Sequence, residues 1–380
     1  MGFIRLYLAL CIVTGHAVGN LPFVLDGTQS VQIFFIISGF YMALILDGKY
    51  TSLKQFYVSR SLRIFVPYYL AVLFVIAVSL LSGVLFHHYL ALQPFSGATR
   101  NNGLAGIVLA SVSNITLLFQ DVILFLSQPA GQSLRITTNF ITDAAPLWHY
   151  QLLPQCWSVS LELMFYLVVP FLARFSSFSL MAVAFLSLSM RFFAYEILKL
   201  QGDQWGYRFF PFEITLFILG MLGYRFYRSY LKQRPWKGLH RHLTTIYTLL
   251  AAVALIGIHS FASRQVGNIV GYAYGVLISY SIWPFGLGLL FYLGKADHLD
   301  KKVGELSYPI YLLHFILNMF LWVLFNQFLN RFCRPTAEWP MGFALICAIF
   351  SVCVAAMMYC FLLQRFETWR HQLMRQESTS

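Results

Sequence analysis

Apolar residues run along this chain in long, nearly unbroken blocks, at about 3–19, 28–46, 64–86, 104–126, 157–173, 178–199, 209–226, 243–262, 269–292, 304–326 and 341–364. Blocks of that length without alternation predict helices able to cross a hydrocarbon core of about 30 Å. The lack of alternating ten-residue segments excludes a transmembrane β-barrel. One block differs from the rest. Residues 104–126 are interrupted by Ser111, Ser113, Asn114, Thr116, Gln120 and Asp121, and a stretch rich in Ser, Gln and Thr follows. The pattern predicts an all-α polytopic membrane helical bundle of about ten transmembrane helices. A long segment from His87 to Gln155 would lie between the third and fourth spans and carry one interfacial or re-entrant stretch. No repeat relates the two halves, which weakens a reading as a duplicated transporter.

Charge decides between ten spans and eleven. Of 380 residues, 59% are hydrophobic and 11% charged, against roughly 25% charged in soluble proteins. That balance excludes a soluble enzyme, a disordered chain and a disulfide-stapled module. With ten spans, the links 47–63, 174–177, 225–242 and 293–303 and the tail 365–380 share the side of the N-terminus. That side carries 18 of the 26 Lys and Arg; the other carries 7, and Arg191 lies within a span. If 104–126 crossed as well, Arg225, Arg228, Lys232, Arg234, Lys237 and Arg241 would part from Lys49, Lys54, Arg60 and Arg63, and the bias would largely vanish. The positive-inside rule therefore places both termini in the cytoplasm. The formal charge of +12 is read as topology facing the lipid bilayer, not as a nucleic-acid surface.

The cysteines show neither metal nor redox spacing. Cys11, Cys347, Cys353 and Cys360 sit in apolar blocks, Cys156 and Cys333 flank others, and no metal is expected. The first block runs to Val18 without a small-x-small cleavage site before Asp26, so it reads as a retained span. Leu6, where Ser or Thr would be needed, argues against myristoylation.

An ionisable residue inside a span costs several kcal/mol unless it faces protein or water, so each is a functional candidate. The first span holds Arg5 and His16. Eleven residues at about 100° each end about 20° past three turns, so the two share a helix face about 16.5 Å apart. Snorkelling of Arg5 and a buried structural role for His16 are the plainer readings; the other is one ligand touching both. In the second span, Ser38 and Gly39 interrupt aromatic residues, allowing close helix approach or leaving room for a ligand. Arg60 and Arg63, three apart, share a face of a short helix expected to end at Pro67. Such a pair suits phosphate as well as ordinary anchoring. Glu162 and Tyr166 stand four apart in the fourth span. In the ninth, Ser307, Tyr311 and His314 form one polar stripe, with Tyr308 beside it, which faces the bundle interior as helix glue or as a site wall.

In order along the chain, Arg5 with His16, the run Phe34 to Phe40 (FFIISGF), Arg60 to Tyr69 (RSLRIFVPYY), Trp157 to Tyr166 (WSVSLELMFY) and Gly304 to His314 (GELSYPIYLLH) resemble the integral-membrane acyltransferase 3 family. The resemblance spans nearly the whole chain. Leu62 leaves fewer arginines in the basic stretch than many members show, and Glu367-Thr368-Trp369 lacks a proline common there. The resemblance implies a single membrane domain over 1–380, without the extracytoplasmic hydrolase-like domain some relatives carry. It also implies residence in a bacterial inner membrane and transfer of an acyl group, usually acetyl from acetyl-CoA, to an envelope carbohydrate. Lipopolysaccharide O-antigen, peptidoglycan and exported polysaccharide are the acceptor types.

The residue chemistry fits that implication. A sugar hydroxyl is a weak nucleophile and needs a general base, for which neutral imidazole is suited. His16 is the expected base. Arg5, Arg60 and Arg63, with Ser38, form the expected acyl-CoA site. Glu162, His314 and Tyr308 are expected to orient the base, hold the sugar or stabilise the oxyanion. The aromatic residues Trp148, His149, Tyr150 and Trp157 are expected to face sugar at the outer mouth. The competing class is a lipid-linked sugar flippase or exporter, which would bind no CoA. A different membrane O-acyltransferase architecture, built on His314 and Asn318, would leave the Arg5–His16 pairing unexplained.

Overall fold

The computed structural model describes residues 1–19, 21, 25–48, 52–96, 102–233, 243–295, 297–328 and 339–376. Lys49, Arg234, Lys237, Arg241, Cys333 and the last four residues of the tail lie outside them. The chain is almost wholly helical. Helices α1 (Gly2–Val18), α2 (Gly27–Leu46), α3 (Leu53–Phe86) and α4 (Leu104–Thr116) come first. They are followed by α5 (Trp157–Leu172), α6 (Ser177–Phe192), α7 (Phe210–Phe226) and α8 (Thr244–Val270). Then come α9 (Tyr272–Ser279), α10 (Trp283–Gly294), α11 (Ser307–Phe328), α12 (Pro340–Met358) and α13 (Gln364–Gln376). A two-residue antiparallel ladder, Leu126–Ser127 with Arg135–Ile136, lies in the segment between α4 and α5.

Among the described residues nine helical segments are long and apolar enough to cross a membrane. With α1, at 17 residues, they make the ten expected spans of an integral membrane protein. Side-chain caps set several starts: Asp26 accepts from the Gln29 N–H, Ser52 from Gln55 and Ser176 from Ser179, satisfying donors that a helix start leaves open. The doubtful block behaves as expected of a segment that does not cross. Helix α4 has 13 residues, about 20 Å of rise, and its chain is tied to α3 by Tyr68 and Tyr69 hydroxyls donating to the Asn114 and Ile115 carbonyls. Leu104, Val108, Val112 and Ile115 form an exposed apolar stripe on it.

One expectation fails. The helix carrying Arg60 and Arg63 does not end at Pro67 but continues through it to Phe86. A proline inside a membrane helix is tolerated where neighbouring groups engage the disturbed backbone; here the Tyr308 hydroxyl donates to the Ile64 carbonyl at 3.2 Å.

Two helices approach at backbone distance. A Cβ on Gly39 of α2 would come within 1.9 Å of the Phe217 carbonyl oxygen, and one on Gly220 of α7 within 1.9 Å of that of Ile36. Glycine at both positions lets the helices touch, and Phe35, Phe165 and Phe217 stack beside them with centroids 4.8 and 4.2 Å apart. At one end of the bundle the Gly2 and Phe3 N–H groups donate to Asp300 Oδ1 at 2.6 and 2.9 Å. Arg370 of α13 donates to Ser59 Oγ at 2.9 Å. The starts of α1, α3 and the ninth span thus gather on the face that also receives α13, as an even number of crossings requires.

Candidate active site

The polar stripe of α11 faces inward, as its spacing predicted: Ser307, Tyr311 and His314 are all buried. Each residue has a distinct partner. Ser307 Oγ accepts from Arg5 Nη2 at 2.9 Å and donates to the Gly304 carbonyl at 2.7 Å. The Tyr311 hydroxyl donates to the Gln155 carbonyl at 2.7 Å and lies 2.6 Å from Ser158 Oγ. His314 Nε2 lies 2.8 Å from His16 Nδ1, and the two rings stack with centroids 5.0 Å apart and planes 18° from parallel. Arg5 and His16, on one face of α1, therefore meet Ser307 and His314, on one face of α11.

The histidine pair has a defined proton arrangement. His314 Nδ1 sits 2.7 Å from the Tyr311 carbonyl oxygen, and a carbonyl only accepts, so Nδ1 carries the hydrogen. In neutral His314 the Nε2 is then an acceptor, and His16 Nδ1 must donate to it. That assignment leaves His16 Nε2 as a bare lone pair.

Two cavities adjoin the elements that carry this pair. The inner one, about 500 Å³, is lined by Arg5, Ser38, Arg60, Arg63, Glu162 and Tyr308. Those are all the expected donor-site residues together with two of the expected catalytic ones. Lys295 and Lys301 add positive charge, and Val31, Phe34 and Phe35 give it an apolar wall. Ser38 and Tyr166 hydroxyls both donate to Glu162 Oε1 at 2.6 Å, and Arg63 lies 3.6 Å from Glu305. The outer cavity, about 330 Å³, holds the accessible ring of His16, with Asn318, Phe315, Trp322, His88 and Gln93. His314 is wholly buried and lines neither cavity. One helical turn, from Tyr311 on the inner cavity to His314 behind His16, joins the two.

A model of the acyltransferase domain matches residues 2–358. The chain belongs to the acyltransferase 3 family. It is a membrane acyltransferase, and no curated protein and no solved structure matches it. Family membership covers all ten spans, so both cavities lie within the acyltransferase domain.

The structure separates some residues that sequence reasoning grouped. Glu162 and Tyr308 stand with the arginines of the inner cavity, whereas His314 stands with His16. The aromatic residues expected at the outer mouth are partly used elsewhere: Trp157 is buried beneath the Arg208 guanidinium, 4.8 Å from its ring centroid, and Tyr150 is buried against Phe95. A buried cluster escaped notice altogether. Glu213 pairs with Arg191, accepts from Gln32 Nε2 at 3.2 Å, and Gln32 in turn accepts from the Tyr280 hydroxyl at 2.8 Å. A carboxylate inside the block 209–226 was signal enough to find it. Among the described residues no group of three or more His, Cys, Asp or Glu is arranged to hold a metal ion.

Proposed function

We propose that this acyltransferase takes an acetyl group from acetyl-CoA in the inner cavity and gives it to a hydroxyl of an envelope carbohydrate in the outer one, in a bacterial inner membrane. The observation that carries this reading is the His16–His314 pair, in which His16 lines one cavity and His314 lies one helical turn from Tyr311, which lines a second, cationic one. Arg5, Arg60 and Arg63, with Lys295 and Lys301, supply the charge that phosphates of the donor require, and Ser38 lines the apolar passage beyond them.

The chemistry balances with residues of this chain. His16 Nε2 accepts the proton of the acceptor hydroxyl as its oxygen bonds to the thioester carbonyl carbon. The carbon–sulfur bond then breaks, and the proton leaves His16 for the departing thiolate. His314 receives no proton in this scheme. Its Nε2 holds the His16 hydrogen on Nδ1, and its own hydrogen stays on its Nδ1, donated to the Tyr311 carbonyl. Glu162, bonded to Ser38 and Tyr166, shapes the donor side, and Tyr308 secures α3 through Ile64.

The excess of Lys and Arg on the side of the N-terminus supports a cytoplasmic inner cavity, where CoA resides, with the acceptor outside, so that in this reading the group crosses the membrane within one protein. Purified enzyme reconstituted into vesicles in one orientation tests this. Acetyl-CoA supplied on the Arg60 face should acetylate carbohydrate confined to the opposite face. Transfer only when both substrates share the Arg60 face would refute it.

A further inference from the structure

The outer cavity is chemically unlike the inner one. Among the described residues its lining has no Asp, Glu, Lys or Arg, and the polar groups there include His16, His88, Gln93 and Asn318. We infer that this cavity is the acceptor subsite and that it selects an uncharged sugar residue presenting two neighbouring hydroxyls, one to His16 and one to Asn318. The inference rests on the acyl-transfer reading for its first hydroxyl, and on Asn318 for its second.

Asn318 is only 6% exposed. Its Nδ2 donates to the Val13 carbonyl at 2.9 Å, which fixes the amide, and its Oδ1 is buried with no hydrogen-bond partner. A buried acceptor left without a donor is costly, so the group is explained by a donor that arrives with the ligand. The placement matches the base. His314 and Asn318 are one turn apart on α11, their partners His16 and Val13 are one turn apart on α1, and His16 and Asn318 line the same cavity. A hydroxyl losing its proton to His16 thus has a neighbouring hydroxyl within the reach of Asn318.

The remaining walls suit a sugar ring. Phe315 and Trp322 lie on the same helix, and Trp322, 52% exposed, presents an indole face at the cavity against which the apolar C–H face of a pyranose can lie. A volume of about 330 Å³ is near the lower end of small-molecule sites, which begin at about 300 Å³, and fits one residue of a glycan rather than a folded length of it. An anionic sugar would bring a charge against a lining whose described residues include no Lys or Arg to pair it. The inner cavity shows that the same fold supplies such cations where a ligand needs them.

The test uses full-length protein in lipid nanodiscs, free of sugar-based detergent, and saturation-transfer NMR. Methyl α-D-glucopyranoside and methyl β-D-galactopyranoside serve as neutral probes and methyl β-D-glucuronide as the anionic one. Ring protons of at least one neutral probe should be saturated, about tenfold more than those of the glucuronide, with loss of the signal in both Asn318→Ala and Trp322→Ala. Acetyl-CoA titration of each variant verifies that it is folded. Undiminished signal in both folded variants, or a glucuronide signal equal to the neutral ones, would overturn the inference. Because this readout needs no turnover, a protein that binds the neutral probe but leaves acetyl-CoA intact would sink the proposed reaction while leaving the subsite standing.

Discussion

His16 Nδ1 and His314 Nε2 lie 2.8 Å apart although 298 positions separate them in the chain. The Tyr311 carbonyl behind His314 determines which ring nitrogen holds each hydrogen and leaves the lone pair on Nε2 of His16, a residue that lines the outer cavity. His16→Ala should therefore lower acyl transfer by about 10² to 10⁴, the usual contribution of a positioned base, with unchanged expression and unchanged acetyl-CoA affinity. Turnover of the purified variant near the wild-type rate would remove His16 from the mechanism.

In the proposed reaction His314 acts through His16 as a positioning residue, which separates two substitutions. His314→Phe fills the space but cannot accept the His16 hydrogen, so kcat should fall tenfold or more while the KM for acetyl-CoA holds. His314→Gln retains an acceptor oxygen and should recover part of the loss. Equal rates in the two variants would mean that packing, not the hydrogen bond, is what His314 contributes.

The ten crossings, the odd character of 104–126 and the inward stripe of α11 were all legible in the sequence. Each depends on local periodicity or on charge in short links, which one helix records by itself. The pairing of His16 with His314 was not. Both residues were singled out, but their contact depends on how α1 packs against α11, and nothing within either helix encodes the partner. The same holds for Asp300 receiving the Gly2 and Phe3 N–H groups. Pro67 misled for the opposite reason: its local rule is to end a helix, and a neighbouring span overrides that rule. Glu162 illustrates the division within the site. Its spacing to Tyr166 announced their bond, yet whether it faced donor or acceptor was decided by Ser38 on a distant helix.

The inner cavity concentrates Arg5, Arg60 and Arg63 from two helices. Alanine at each should weaken acetyl-CoA binding, about tenfold for loss of one charged contact, with smaller effects on sugar binding. Isothermal titration gives the affinities directly. Unchanged affinity in all three variants would return these arginines to anchoring.

Asp121, in the segment between α4 and α5, is buried, and that burial pushes its carboxyl up to about 6 although the Ser160 hydroxyl donates to it at 2.8 Å. A group that binds its proton more tightly when folded contributes stability fully below its unfolded value, near 4, and loses it as pH rises through about 6. Thermal unfolding of the wild type should therefore occur at a lower temperature at pH 7.5 than at pH 5. Asp121→Asn, whose amide oxygen still accepts from Ser160, should flatten that dependence. An identical decline in the variant would assign the pH effect to another group.

Topology offers the last test, and the structure sharpens it by exposing both reporter positions. Ser133, beyond α4, and Gln233, after α7, are exposed. Three crossings, those of α5, α6 and α7, lie between the two positions, so they must face opposite sides, and whether α4 crosses decides which side each one faces. The positive-inside rule predicts that the arginine-rich link, and Gln233 with it, faces the cytoplasm. Single cysteines introduced as Ser133→Cys and Gln233→Cys in a cysteine-free background should react differently with a membrane-impermeant maleimide on intact spheroplasts: the first labelled, the second protected until the membrane is opened. Labelling at 233 with protection at 133 would invert the bundle, move the cationic cavity to the outer face and deprive it of cytoplasmic CoA.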